Sequence, residues 1–168
     1  MSGPRVRCNV ELVLVLVSLQ YWLVVDDGVF VDNSALPDVN CQYIIAVALI
    51  DGEVSFADSH SRERMDDPQV RRVRQIVQLV ADPALMDPAA PRSGLVEVTL
   101  RDGRTVNHFT RHPPGTKENP LDTDGVNAKA RGLMTPVLGA SRTEELIRRV
   151  SALEGVRNVR DLRSLLIG

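Results

Sequence analysis

The sequence is poor in the residues that staple small domains or hold metals. Its only two cysteines, Cys8 and Cys41, stand far apart without C-x-x-C spacing, and its three histidines, His60, His108 and His112, are scattered. Neither a disulfide framework nor a structural zinc site is predicted, and a reduced, cytoplasmic setting is expected. An excess of one charge is missing too: 20 basic and 22 acidic side chains leave a formal charge of −2, with no extended block of either sign. Such a chain projects no long-range field toward DNA or an acidic membrane, so nucleic acid is not an expected partner. Internal repeats and low-complexity tracts are absent as well.

One hydrophobic run bears on the setting. Leu12 to Val25 is strongly apolar and follows Arg5 and Arg7, the pattern of a signal peptide or membrane anchor. The run is shorter than the ~20 residues that cross a bilayer, contains Ser18 and Gln20, and has Glu11 at its entrance. No A-x-A-like cleavage site follows before Asp26 and Asp27. Its valine-rich composition predicts a buried strand or pair of strands instead. A membrane-tethered protein is the competing reading, and detergent-dependent solubility would mark it.

What is present suffices for one sizeable core, since 168 residues are 43% apolar. Cys41 to Ile50 reads as a helix apolar nearly all round, hence buried, and closed by Asp51-Gly52. Asp67-Pro68 offers a helix cap with proline in the first turn, and Val70 and Val73 share one face of the short helix that follows. Ile76 to Val80 is strand-like and ends at Asp82-Pro83. Leu95 to Leu100 and Thr105 to Arg111 are strand-like runs joined by Arg101-Asp102-Gly103-Arg104, a hairpin signal. The period of two places Val96, Val98 and Leu100 on the face that packs against helices.

Beyond a loop over His112 to Asn119, Pro120 is expected to start a helix containing Lys129. Val126, Leu133, Met134, Val137 and Leu138 recur there near helical spacing, weakened by Gly132 and Pro136. Ser141 and Glu144 form a capping-box signature before a helix whose apolar stripe is Leu146, Ile147, Val150 and Leu153, stopped by Gly155. A last helix is expected to bury Val159, Leu162, Leu165 and Leu166.

In this order the elements resemble the C-terminal domain of the MmgE/PrpD family, the 2-methylcitrate dehydratase-like proteins. The family pattern Q-Y-x-x-A-x-x-L-x-D-G stands here as Gln42 to Gly52, and is followed by Asp67-Pro68-Gln69-Val70. A D-G turn at Asp102-Gly103, a G-x-x-x-N-P-L loop from Gly115 to Leu121, Lys129 in the next helix and a leucine-rich end from Leu162 to Leu166 complete it. The resemblance implies an α+β fold, a small antiparallel sheet with the D-G hairpin packed against several helices. Residues 36–168 would be the lid domain and 1–35 a divergent N-terminal segment, apolar and strand-like. It also implies cofactor-independent carbon-oxygen lyase chemistry, dehydratase, decarboxylase or epimerase, on small polycarboxylates such as 2-methylcitrate. Full-length family members carry a large helical domain supplying most of the active site, and this chain has no room for it. Whether it is an enzyme by itself is therefore left open.

By the same resemblance Tyr43 faces the substrate cleft as a hydroxyl donor, with Gln42 and Lys129 as substrate contacts, although a solvated or helix-pairing lysine is the more common outcome for a residue like Lys129. Tyr43 also reads as a core tyrosine whose hydroxyl finds a backbone partner. The histidines carry less. His108 and His112 share a strand face without a neighbouring carboxylate, and Ser59 and Ser61 flank His60 too closely in sequence for a nucleophilic triad. One glycine and Lys117 fall short of a phosphate-binding loop. No metal and no cofactor is expected. The expected partners are a carboxylic-acid substrate together with a separately encoded helical domain, or a second copy in a homodimer. A non-catalytic remnant or interaction module of the same fold is the alternative.

Overall fold

A computed structural model describes residues 10–17 and 36–167 of the chain. It falls into two compact units, Met1–Pro113 and Pro114–Gly168. Among the described residues are four strands and seven helices, an α+β fold.

The first unit is built on an open sheet of order β2-β1-β3-β4, with β1 at Val10–Val17, β2 at Val77–Ala81, β3 at Gly94–Leu100 and β4 at Thr105–Thr110. The strand predicted in the valine-rich run forms over Val10–Val17; Ser18 to Val25 and Cys8 lie outside the described residues. β1 runs antiparallel to β3 but parallel to β2, so the sheet is mixed rather than purely antiparallel. A parallel neighbour requires a long crossover, and the helices between β1 and β2 supply it. Val13 and Val15 lie on the covered face, opposite Val98 and Val96 on one side and Val77 and Leu79 on the other. Val13 is completely buried there.

The predicted buried helix is α1, Cys41–Asp51. Its apolar circumference has a direct cause, because it is packed on two sides. Cys41, Ile45 and Leu49, spaced by four, lie against Val10, Val13, Val15 and Val77 of the sheet. Tyr43, Ala46 and Val47 face Met65, Val70 and Val73 on the opposite side. Burying one such valine contributes about 1.5–3 kcal/mol. Asn40 caps the start through Oδ1, which accepts from the Tyr43 N–H at 2.8 Å, and Gly52 closes the end at φ +83°, where the absence of a Cβ is favoured.

Two short helices follow, α2 at Phe56–Ser59 and α3 at Arg62–Asp66, and then α4 at Pro68–Arg74. α4 begins as predicted: Asp67 accepts from the N–H groups of Gln69 and Val70 while Pro68 fills the first turn. Val70 and Val73 are the buried face. The hairpin also forms as predicted. Gly103 takes φ +82°, its N–H donates to Leu100, and Val96, Val98 and Leu100 pack on the core side. On the opposite side of the sheet, Val80, Leu16, Leu95 and Phe109 line up across all four strands.

The second unit holds α5 at Thr123–Leu138, α6 at Ala140–Ser151 and α7 at Arg163–Leu166. Here the sequence reading needs correction. The helix carrying Lys129 begins at Thr123, not Pro120, because the Asp122 carboxylate accepts from the Gly125 N–H and fixes the start there. Pro136 sits inside that helix. Ser141 caps nothing: Gly139 at φ +78° is the N-cap of α6, and Glu144 is drawn off into a two-point pair with Arg131 at 2.6 and 3.0 Å. Leu146 and Ile147 are buried, but Val150, Leu153, Val159 and Leu166 are exposed. The helix ends at Ser151, ahead of Gly155, and the predicted last helix is a tight turn, Val159–Leu162, leading into α7.

Candidate functional site

The residues singled out in the sequence divide between the two units. Gln42 and Tyr43 occupy the first turn of α1 in the first unit, while Lys129 stands exposed on α5 in the second. Gln42 is 8% exposed and Tyr43 is 0% exposed. The Tyr43 ring is part of the core, and its hydroxyl reaches α2 and the cap of α3. There it donates to the Asp58 carbonyl at 2.5 Å, with the Ser61 carbonyl at 3.4 Å.

A polar shell surrounds this contact. Ser55 caps α2, its hydroxyl accepting from the Asp58 N–H at 3.0 Å and donating to the Asp58 carboxylate at 2.5 Å. Arg64 bridges Asp51 at 2.6 Å and Asp67 at 3.3 Å, tying the end of α1 to the start of α4. Burial pushes the Tyr43 phenol above its ordinary pKa and the Asp58 charge adds to that, while Arg64 opposes it. The bond to Asp51 raises the Arg64 guanidinium in turn. A phenol so placed keeps its proton at neutral pH and serves as a donor, not a base.

Sequence reasoning missed Asn40. It is 3% exposed, and with Oδ1 engaged by the Tyr43 N–H, its Nδ2 has no acceptor among the described residues. The signal was available, because Asn directly before an apolar helical run is a cap signature.

The partners of His60 do not make an acid-base pair. His60 Nδ1 lies 2.9 Å from Ser59 Oγ and 2.9 Å from the Phe56 carbonyl, and its ring stacks on Phe56 with centroids 4.0 Å apart. Ser59 Oγ is itself 2.9 Å from the same carbonyl, so its proton has a main-chain acceptor already. His108 is exposed on β4, and His112 lies beyond the strand's end, where the strand period no longer relates them. Among the described residues no group of three or more His, Cys, Asp or Glu side chains is placed to hold a metal ion. No helix among them is long and apolar enough to cross a membrane.

The second unit has a groove of about 540 Å³ between α5, α6 and the C-terminal turns. Val126, Met134, Leu146, Ile147, Leu162 and Leu166 make it apolar, with Thr123, Asn127 and Ser151 as its polar groups. Containing no ionisable side chain, it offers apolar contact and hydrogen bonds but no proton transfer.

Neither the Tyr43 shell nor this groove assembles the base, acid and oxyanion donors of a lyase by itself. Sequence comparison shows to which family they belong. Residues 9–154 match the family model of the MmgE/PrpD C-terminal domain. The chain belongs to the MmgE/PrpD family. As an MmgE/PrpD domain it is 28% identical over 127 residues to a cis-aconitate decarboxylase of Mus musculus, covering 76% of this chain and 26% of the relative. The Homo sapiens cis-aconitate decarboxylase gives the same identity and coverage. A 2-methylcitrate dehydratase-like protein, oryR, of Aspergillus oryzae is 29% identical over 122 residues, covering 68% of this chain and 25% of the relative. The chain thus spans about a quarter of the length of the curated relatives it matches. The MmgE/PrpD match takes in β1 as well as Gln42, Tyr43 and Lys129.

Proposed function

We propose that this MmgE/PrpD domain is the lid of a cofactor-independent lyase acting on small polycarboxylates such as 2-methylcitrate, working together with a helical catalytic domain. One observation carries the reading. The family match runs through nearly the whole chain, and the relatives it brings are a decarboxylase and a dehydratase-like protein. Removing or adding a proton beside a carboxylate and expelling a leaving group needs several convergent groups, and the helical domain would bring most of them. In this reading Tyr43 supplies a proton-bearing hydroxyl, with Gln42 and Lys129 as contacts to substrate carboxylates.

The test begins with light scattering on the chain alone and mixed with a candidate helical-domain protein. An absorbance assay for double-bond formation from 2-methylcitrate or citrate follows. A stable complex whose activity is lost in Tyr43→Phe supports the split lyase. A mixture without complex or turnover sinks it.

A second reading has its own observation. Tyr43 is fully buried with main-chain carbonyls as its partners, as in a non-catalytic remnant or interaction module. A complex with undiminished activity in Tyr43→Phe would leave the lid role but remove Tyr43 from the chemistry.

A further inference from the structure

The start of α1 holds more hydrogen-bond donors than acceptors. Of its opening N–H groups, that of Tyr43 goes to Asn40 Oδ1 at 2.8 Å and that of Ile44 to the Asn40 carbonyl at 3.1 Å. The N–H groups of Cys41 and Gln42 meet no acceptor among the described residues. They are the orphan donors that a helix start leaves over.

Two side chains add to this surplus. Asn40 is 3% exposed, and because its Oδ1 faces the Tyr43 N–H, its Nδ2 is held beside the same helix end, where it has no acceptor. Gln42 is 8% exposed, and its side-chain amide makes no hydrogen bond among the described residues. Side chains on a helix lean toward its N-terminus, so Gln42, in the first turn, leans toward the same end. Asp38, the nearest acid along the chain, is exposed and accepts from none of these groups among the described residues.

A buried N–H without an acceptor costs free energy, and native proteins seldom leave one. Here the surplus consists of donors, and it lies where the helix dipole is positive. Its complement is a negatively charged group that only accepts. A carboxylate has two oxygens, about four lone-pair positions and a single charge, which suits a set of neutral donors. No Arg or Lys belongs to the set to offset the second charge of a phosphate or sulfate.

We propose that the start of α1 is a carboxylate-binding subsite, in which Asn40 Nδ2, the Gln42 amide and the free N–H groups of Cys41 and Gln42 hold one carboxylate of a small polycarboxylate. The choice of polycarboxylates rests on the lid reading above; the donors and their placement do not. Asn40 then has a task for each end of its amide, Oδ1 fixing the helix and Nδ2 holding the ligand. The Tyr43 hydroxyl is engaged by the Asp58 carbonyl, so this carboxylate is held without it.

The test separates the two tasks of Asn40. Asn40→Asp keeps an oxygen for the Tyr43 N–H and sets a negative charge at the helix start, so the cap survives while the donor becomes a repelling oxygen. Proton–nitrogen correlation spectra of the full chain are followed during titration with citrate at neutral pH and constant ionic strength. Saturable shifts are expected at the main-chain amides of Cys41 and Gln42 and at the side-chain amides of Asn40 and Gln42, with sulfate and chloride giving none of comparable size. Asn40→Asp is expected to keep the parent's urea midpoint yet bind citrate about tenfold more weakly or worse, and Gln42→Glu to do the same. The readout is binding to the chain alone, so it succeeds or fails independently of the complex and turnover that test the lid reading. Parent signals that ignore citrate, equal shifts with sulfate, or an Asn40→Asp chain that binds citrate like the parent would each overturn the proposal.

Discussion

The Tyr43 hydroxyl donates to the main-chain carbonyl of Asp58, joining the first turn of α1 to a segment 15 residues further along the chain. The ring is core and the hydroxyl is the fastening. Tyr43→Phe keeps the ring and leaves a partly buried carbonyl without its donor. A loss of about 1–3 kcal/mol is expected, read as a lower urea midpoint at unchanged slope. Equal midpoints would show that the segment from Ser55 to Ser61 holds itself in place through its own caps.

Alkaline pH should weaken the first unit before it weakens a typical domain. Burial pushes the Cys41 thiol from 9.0 up to about 11, and burial with the Asp58 charge raises Tyr43 as well. A raised pKa means the folded state keeps a proton that the unfolded state releases. The stabilisation is therefore whole below pH 9 and is lost as the pH climbs from 9 through 11. Cys41→Val removes the thiol while keeping an apolar contact with the sheet. Urea midpoints of the two proteins across that window should converge in slope only above it; parallel curves throughout would contradict the assignment.

Two glycines should respond in opposite directions to alanine. Gly103 sits at φ +82° in the hairpin, where a Cβ costs about 1–2 kcal/mol, so Gly103→Ala should lower the urea midpoint. Gly132 lies mid-helix in α5 with no atom within 4 Å of where a Cβ would be. Gly132→Ala should raise helix stability by about 0.5–1 kcal/mol, seen as stronger hydrogen-exchange protection of the α5 amides. A shared sign would mean that one of these backbones differs from that described.

The features legible in the sequence are those whose cause is local. Asp67 before Pro68, the Asp102-Gly103 turn and the alternation of Val96, Val98 and Leu100 each act within a few residues, and each formed as expected. The all-apolar circumference of α1 was legible as burial, but not that the sheet lies on one side and Met65, Val70 and Val73 on the other. The parallel pairing of β1 with β2 was hidden, because strand direction is set by what the crossover between them packs against. The second unit was read least well: Val126, Val137, Val159 and Leu166 have helix-like spacing, yet the described residues leave them exposed. Periodicity reports an apolar face without saying what covers it. The same limit applies to the candidate site, where the motif pointed to Tyr43 and the hydroxyl's main-chain partner came only from the structure.

Two capping signatures separate local from tertiary control most directly. Asp67 accepts from the Gln69 N–H at 2.7 Å and the Val70 N–H at 3.3 Å, and those bonds, ahead of its pairing with Arg64, hold its carboxyl below the usual range. Asp67→Ala should cost about 1–2 kcal/mol at neutral pH. Its lowered pKa makes that contribution present above the ordinary carboxylate value and progressively lost as the pH falls through the folded one. The gap between Asp67→Ala and the parent should therefore narrow in acid. Ser141 carries an equally good signature, but Glu144 is engaged with Arg131 and Gly139 holds the cap position. Ser141→Ala should leave both urea midpoint and α6 exchange rates unchanged. If Ser141→Ala costs as much as Asp67→Ala, the capping box forms in solution and the Arg131 pair is the weaker claim on Glu144.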